Sequence, residues 1–174
     1  PSRMLFGLKD LVKKKARIIA QGCFQQEPEG DSFFSPVVGF DTLKILFALA
    51  AEKGWQAFSC DVDTAFLQAK LDNQEGTIIV TPPKFLTQNN LVSPDEVWLL
   101  KKALYGLRTS PRAWYKAAKA VMLEQGFHVT QYDECVFVRE DCVVAVYVDD
   151  FAVFGEEIVK NFINNLVKSF EPKN

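Results

Sequence analysis

The chain has 174 residues, 48% of them apolar and 24% charged, with a formal net charge of -2 at pH 7. A chain of this size and balance folds as one compact unit that buries roughly 70% of its unfolded surface, which excludes a disordered tail, a collagen-like chain and a coiled coil. The longest uncharged stretch runs from Phe85 to Pro94, so neither a membrane span nor a signal-peptide core is expected.

Taken in order, the β-rich run Ala16–Ala20 and the residues near Leu5 to Leu8 predict a hairpin with lysines at its tip. Asp41 or Thr42 is positioned to cap a helix in which Leu43, Leu46, Phe47 and Ala50 recur at helical spacing before Gly54. A strand is expected over Gln56 to Val62, then a helical turn over Thr64 to Lys70, and strands over Thr77 to Val80 and Val97 to Leu100. Between these last two, Pro82, Pro83, Asn89, Asn90 and Pro94 act as breakers and predict a loop without a regular element. Ser110 and Pro111 read as the cap and first residue of a helix running to Gln125, with Trp114, Ala117, Ala118 and Val121 as its apolar face and Gly126 as its terminator. A hairpin follows, Cys135 to Arg139 and Val143 to Tyr147, turning at Glu140 and Asp141. Glu157 to Phe170 reads as a last amphipathic helix. Interleaved strands and helices give an α+β or α/β class.

Charge is unevenly spread. Residues 1–22 carry +5 and residues 101–123 carry +6, leaving -13 for the rest. If these two basic segments meet in space, they form a local surface for polyanions; otherwise they are solvated faces of a hairpin and a helix. Cys23, Cys60, Cys135 and Cys142 lie in apolar segments without CxxC spacing, and the single histidine is His128. The expectation is four buried free thiols in a reducing, intracellular compartment and no zinc site.

The chemistry sits in Val143 to Phe154, where Asp149 and Asp150 interrupt an apolar β run. Buried unpaired charge is costly, so the pair either turns the chain into solvent at a hairpin tip or is compensated, most economically by a divalent cation. A second apolar strand ends in the same way at Asp61-Val62-Asp63. If the two strands are neighbours, Asp61 and Asp149 converge and offer hard oxygen ligands for Mg²⁺.

Several blocks, in order, resemble the reverse transcriptase of copia-type LTR retrotransposons. They are Lys15 to Gly22, Phe34-Ser35-Pro36-Val37-Val38, Asp61-Val62-Asp63-Thr64-Ala65-Phe66-Leu67, Pro82-Pro83 with Phe85, Leu100 to Arg108, Pro111-Arg112-Ala113-Trp114-Tyr115, and Tyr147-Val148-Asp149-Asp150. Thr109 stands where relatives commonly carry glutamine. The resemblance implies an α+β right-hand polymerase fragment, with fingers from 1–40 and 69–110, a palm from 41–68 and 111–174, and no thumb. The palm would be a small antiparallel sheet backed by the helices 111–125 and 157–170.

The same resemblance implies RNA-directed DNA synthesis, with Asp61, Asp149 and Asp150 as the catalytic carboxylates. Two Mg²⁺ ions, with Mn²⁺ as a substitute, would be held by Asp61, Asp149, Asp150 and the Val62 carbonyl, Asp150 acting least directly. Arg17 with Lys9 or Lys15 would grip the triphosphate. Ala65, Phe66, Tyr105 and Gly106 would border the nucleotide, Phe66 as the gate against a ribose 2′-hydroxyl; on its own spacing Phe66 reads as a core aromatic. Arg112, Lys116, Tyr147 and Val148 would lie along template and primer. Implied partners are deoxynucleotides and a primed RNA or DNA template, with no membrane, inside a larger Pol polyprotein with integrase and RNase H, in cytoplasmic virus-like particles. Two rival readings are a relict or nucleic-acid-binding module that keeps the fold, and a palm-type enzyme acting on free nucleotides, such as a cyclase.

Overall fold

A computed structural model describes residues 1–9, 13–25, 33–71 and 77–156. Two antiparallel strands open the chain, β1 (Ser2–Lys9) and β2 (Lys13–Ala20), paired in unbroken register from Ser2 with Ala20 to Lys9 with Lys13. A 3₁₀ turn at Gly22–Phe24 follows. Then come α1 (Phe40–Lys53), β3 (Gln56–Asp61), the single turn α2 (Ala65–Gln68), β4 (Ile79–Val80), α3 (Lys84–Gln88) and β5 (Trp98–Leu99). The chain continues through α4 (Ser110–Glu124), β6 (His128–Val129), β7 (Val136–Arg139), β8 (Cys142–Tyr147) and β9 (Asp150–Gly155). The helix expected over Glu157 to Phe170 lies outside the described residues.

Among the described residues the central sheet has five antiparallel strands in the order β3-β9-β8-β7-β6. Strand β8 shows why this run is apolar on both sides, because successive residues point to opposite faces. Cys142, Val144 and Val146, with Phe151 and Val153 of β9, join Ala113, Trp114, Ala118 and Met122 of α4 in one core cluster. Val143, Ala145 and Phe154 join Leu46 and Ala50 of α1 in the other. The sheet is therefore packed between α4 and α1. A smaller cluster of Ala20, Val80 and Leu107 seats the first hairpin and the β4–β5 pair.

Several local expectations are corrected. The Pro82–Pro83 region holds the helix α3, because Pro83 has φ -57 and serves as its cap residue; proline is compatible with a helix start and forbids only its interior. Ser110 is the first residue of α4, after Thr109, and its hydroxyl donates to the Leu104 carbonyl at 2.7 Å rather than capping the helix. Asp41 and Thr42 lie inside the first turn of α1, whose cap is Gly39. The Gly39 N–H is instead accepted by Asp133 Oδ2 at 3.0 Å, a long-range tether no local pattern announces. Gly54 ends α1 at φ +66 and Gly126 follows α4 at φ +83, both as expected. Cys135 and Cys142 are buried, but Cys60 is half-buried and Cys23 is exposed, since Cys23 sits in the 3₁₀ turn outside any core cluster.

Candidate active site at the strand ends

β3 and β9 are neighbours, which brings the two aspartate-bearing runs together. Asp61, the last residue of β3, pairs in register with Asp150, the first of β9. The β8–β9 connection is a two-residue turn, Val148 and Asp149, closed by the Tyr147–Asp150 pair. The Val62 N–H donates to the Asp149 carbonyl at 3.1 Å and locks the turn to the end of β3. The hairpin-tip reading and the clustered-carboxylate reading thus describe one feature. Carboxylates directly opposite across strands repel, so the arrangement favours a cation at this end of the sheet.

The electrostatics agree with the backbone. The Tyr105 hydroxyl is held above its ordinary pKa by burial first, with Arg17 opposing and Asp149, Asp61 and Asp63 adding to the rise. Tyr105 therefore shares its surroundings with Asp61 and Asp149. Burial raises the Cys60 thiol to about 11, with Asp61 and Asp150 contributing. Among the described residues, no group of three or more His, Cys, Asp or Glu side chains forms a ready-made metal cage. That is compatible with Mg²⁺, which typically binds through one or two carboxylates and completes its shell with waters and substrate phosphates. The donor set, hard carboxylate oxygens with a backbone carbonyl beside them, fits that ion. Of the three non-glycine residues with positive φ among those described, Thr64 at +55 and Val148 at +56 flank these carboxylates. Left-handed backbone at such residues concentrates at functional sites.

Basic and aromatic side chains gather at Tyr105, beside the carboxylates. Lys13, Lys15 and Arg17 alternate along β2 and so share a face of the hairpin. The Arg17 guanidinium lies 5.2 Å from the centre of the Tyr105 ring, and Phe66 meets the same ring edge-on at 4.9 Å. Phe66 is half-buried and also packs on the α4-side core, so it is both a core aromatic and part of this group. Ala65, before it in the chain, is buried in the same core cluster. Lys9 pairs with Lys13 at the other end of the hairpin.

The two basic segments do meet. The Ala20 N–H donates to the Tyr105 carbonyl at 2.7 Å and the Gly22 N–H to the Gly106 carbonyl at 3.0 Å. Gly106 has φ +88, and a Cβ there would run into the Ala20 carbonyl oxygen. The Gln25 amide adds a clamp that sequence reasoning missed, accepting from the Arg108 N–H at 2.8 Å and donating to the Thr109 hydroxyl at 3.1 Å. Arg112 is half-buried and Lys116 exposed, both on α4. Tyr147 is exposed, and Val148 is half-buried with its carbonyl accepting the Trp114 indole N–H at 2.6 Å. Trp114 is a second residue that sequence reasoning left in the core and the structure brings to the site.

Comparison with known proteins gives a consistent result. Residues 1–174 match the family described as reverse transcriptase (RNA-dependent DNA polymerase). The chain is 34% identical over 171 residues to the Retrovirus-related Pol polyprotein from transposon RE2 of Arabidopsis thaliana, covering 94% of this chain and 11% of that protein. The corresponding polyprotein from transposon TNT 1-94 of Nicotiana tabacum is 31% identical, with 94% of this chain and 12% of the relative covered. The Transposon Ty1-DR5 Gag-Pol polyprotein of Saccharomyces cerevisiae is 28% identical, over 99% of this chain and 10% of its own length. The chain thus spans about a tenth of the length of these relatives. No solved structure matches.

Proposed function

The chain belongs to the reverse transcriptase (RNA-dependent DNA polymerase) family, and we propose that it is the fingers and palm of a retrotransposon polymerase that adds deoxynucleotides to a primer 3′-hydroxyl on an RNA or DNA template. The observation that carries this reading is the pairing of β3 with β9, which sets Asp61 in register with Asp150 and ties Val62 to the Asp149 carbonyl at 3.1 Å. Carboxylates that share the surroundings of an arginine suit a triphosphate bound through metal ions on one side and a guanidinium on the other. On this reading the five-stranded sheet with α1 and α4 is the palm, and the β1–β2 and β4–β5 ribbons belong to the fingers.

Asp61, Asp149 and the Val62 carbonyl would hold two Mg²⁺ ions, or Mn²⁺ in their place, with Asp150 supporting from its register position opposite Asp61. When bound, the ions supply acidity to the primer hydroxyl and neutralise charge on the triphosphate and leaving pyrophosphate. The protein's own part is positioning and electrostatics. Arg17, steadied on the Tyr105 ring, presents its planar fork to phosphate oxygens. Lys15, two residues along the same strand face, supplies the second cation; Lys9, at the far end of the hairpin, is less well placed. Tyr105 and Phe66 form the apolar wall that excludes water and crowds the sugar, with Ala65 in the core cluster on which Phe66 packs and Gly106 letting the backbone approach. Arg112 and Lys116 on α4, with Tyr147 and Val148 at the turn, lie along template and primer. The length of the relatives supports a place within a larger Pol polyprotein; integrase and RNase H as its neighbours, and cytoplasmic particles as its setting, are part of the proposal. No helix among the described residues is long and apolar enough to cross a membrane.

The test is dTTP incorporation scored with poly-rA and oligo-dT together and each alone. Template-directed synthesis requires both strands. Product formed without template would move the site to free-nucleotide chemistry, and salt-sensitive RNA binding with no product would leave a binding module.

A further inference from the structure

We propose that Trp114 is a positioning residue for the carboxylate site, holding the Val148–Asp149 turn in the shape that presents Asp149. A two-residue β-hairpin turn with positive φ is normally filled by glycine, asparagine or aspartate. Here the residue at φ +56 is Val148, a β-branched side chain that rarely adopts that backbone. The turn therefore needs an external hold. Trp114, 2% exposed on α4, donates its indole N–H to the Val148 carbonyl at 2.6 Å. Its ring meets Phe151, the residue after Asp150, edge-on at 6.5 Å. On the other side, Val62 donates to the next carbonyl, that of Asp149, at 3.1 Å. Two successive carbonyls of the turn are thus pinned, one to α4 and one to the strand that carries Asp61. An indole N–H only donates, so no other standard side chain of that shape makes the same bond.

The inference rests on the metal-binding reading above, and the test separates the two. In the full chain, Trp114→Phe keeps an aromatic ring and removes the donor; cooperative thermal unfolding establishes that the variant folds, and 3-benzothienylalanine at 114, bicyclic but without the N–H, replaces it if it does not. Hydrogen exchange at the Val62 amide is expected to quicken about tenfold as the turn loosens. Affinity for Mn²⁺ alone, read by electron paramagnetic resonance, is expected to fall about 10- to 100-fold, as for other groups that orient metal ligands. Adding Val148→Gly restores most of both, because glycine adopts φ +56 without steric cost. Unchanged Val62 exchange, unchanged Mn²⁺ affinity beside faster exchange, or failure of Val148→Gly to rescue would each overturn the proposal. If the parent binds no Mn²⁺, or Asp149→Asn binds it equally well, the metal reading fails instead, and Val62 exchange still decides the tether.

Discussion

Replacing Gly106 by alanine tests the joint that brings the basic hairpin to the carboxylates. At φ +88 the new Cβ meets two penalties. The left-handed backbone costs an L-residue about 1–2 kcal/mol. The methyl would also run into the Ala20 carbonyl oxygen, with the Ala20 carbonyl carbon at 3.2 Å and nitrogen at 3.3 Å, and a backbone neighbour has no flexible end to move aside. Relief means separating the strands of the joint. That strains or breaks the Ala20-to-Tyr105 and Gly22-to-Gly106 hydrogen bonds, each worth about 1 kcal/mol when buried. The sum is about 3–4 kcal/mol, a large share of the 5–15 kcal/mol typical of a folded domain. Two other glycines calibrate it. Gly54 has φ +66 with open space around its Cβ position, so Gly54→Ala is expected to cost only the backbone part, about 1–2 kcal/mol. Gly7, with nothing within 4 Å and no positive φ, should change stability by less than about 1 kcal/mol. Urea unfolding of the three variants, with slopes compared, ranks them. A Gly106→Ala cost no larger than that of Gly54→Ala would refute the docked joint.

Phe66→Ala is expected to open the wall beside Tyr105 and let the chain incorporate ribonucleotides, measured as the ratio of rTTP to dTTP use; unchanged discrimination would return Phe66 to a packing role alone. Native thiol titration should modify Cys23 first, because it is exposed, whereas burial raises Cys135 and Cys142 to about 12 and keeps both protonated. Reaction of all four at one rate would contradict the described core. The Arg139 guanidinium hydrogen-bonds Asp141 at 2.7 and 2.9 Å and holds its carboxyl below the ordinary value. A depressed folded pKa stabilises above the unfolded value of about 4 and is lost as pH falls through the folded one. Arg139→Gln should therefore flatten the acid limb of the stability–pH curve, modestly because the pair is partly exposed; an unchanged limb would discount the pair.

The sheet was readable in the sequence because β8 is apolar at every position from Cys142 to Val146, the pattern of a strand covered on both faces by α1 and α4. Asp61, Asp149 and Asp150 stand out in the sequence because they end or interrupt apolar runs, yet Asp61 and Asp150 are exposed and Asp149 is half-buried, so the cost of burying charge is not what places them. That β3 lies beside β9 was only a condition, since pairing across some ninety residues leaves no local trace. Helix α3 was hidden because Pro82 and Pro83 look like breakers, although they precede the helix rather than enter it. Trp114 was assigned to the apolar face of α4, correctly for its ring. Its indole N–H reaches a backbone carbonyl, and backbone carbonyls carry no sequence signal. The Gln25 clamp joins a side-chain amide to a backbone N–H and a hydroxyl more than eighty residues away, a separation that leaves no local pattern.

The most direct test of the central claim is Mg²⁺-dependent extension of oligo-dT on poly-rA by this chain beside Asp149→Asn, which keeps volume and removes one ligand charge. The account predicts extension by the parent and none by a variant with the same thermal stability. Extension by both at similar rates would contradict the assignment of Asp149 to the metal-binding site.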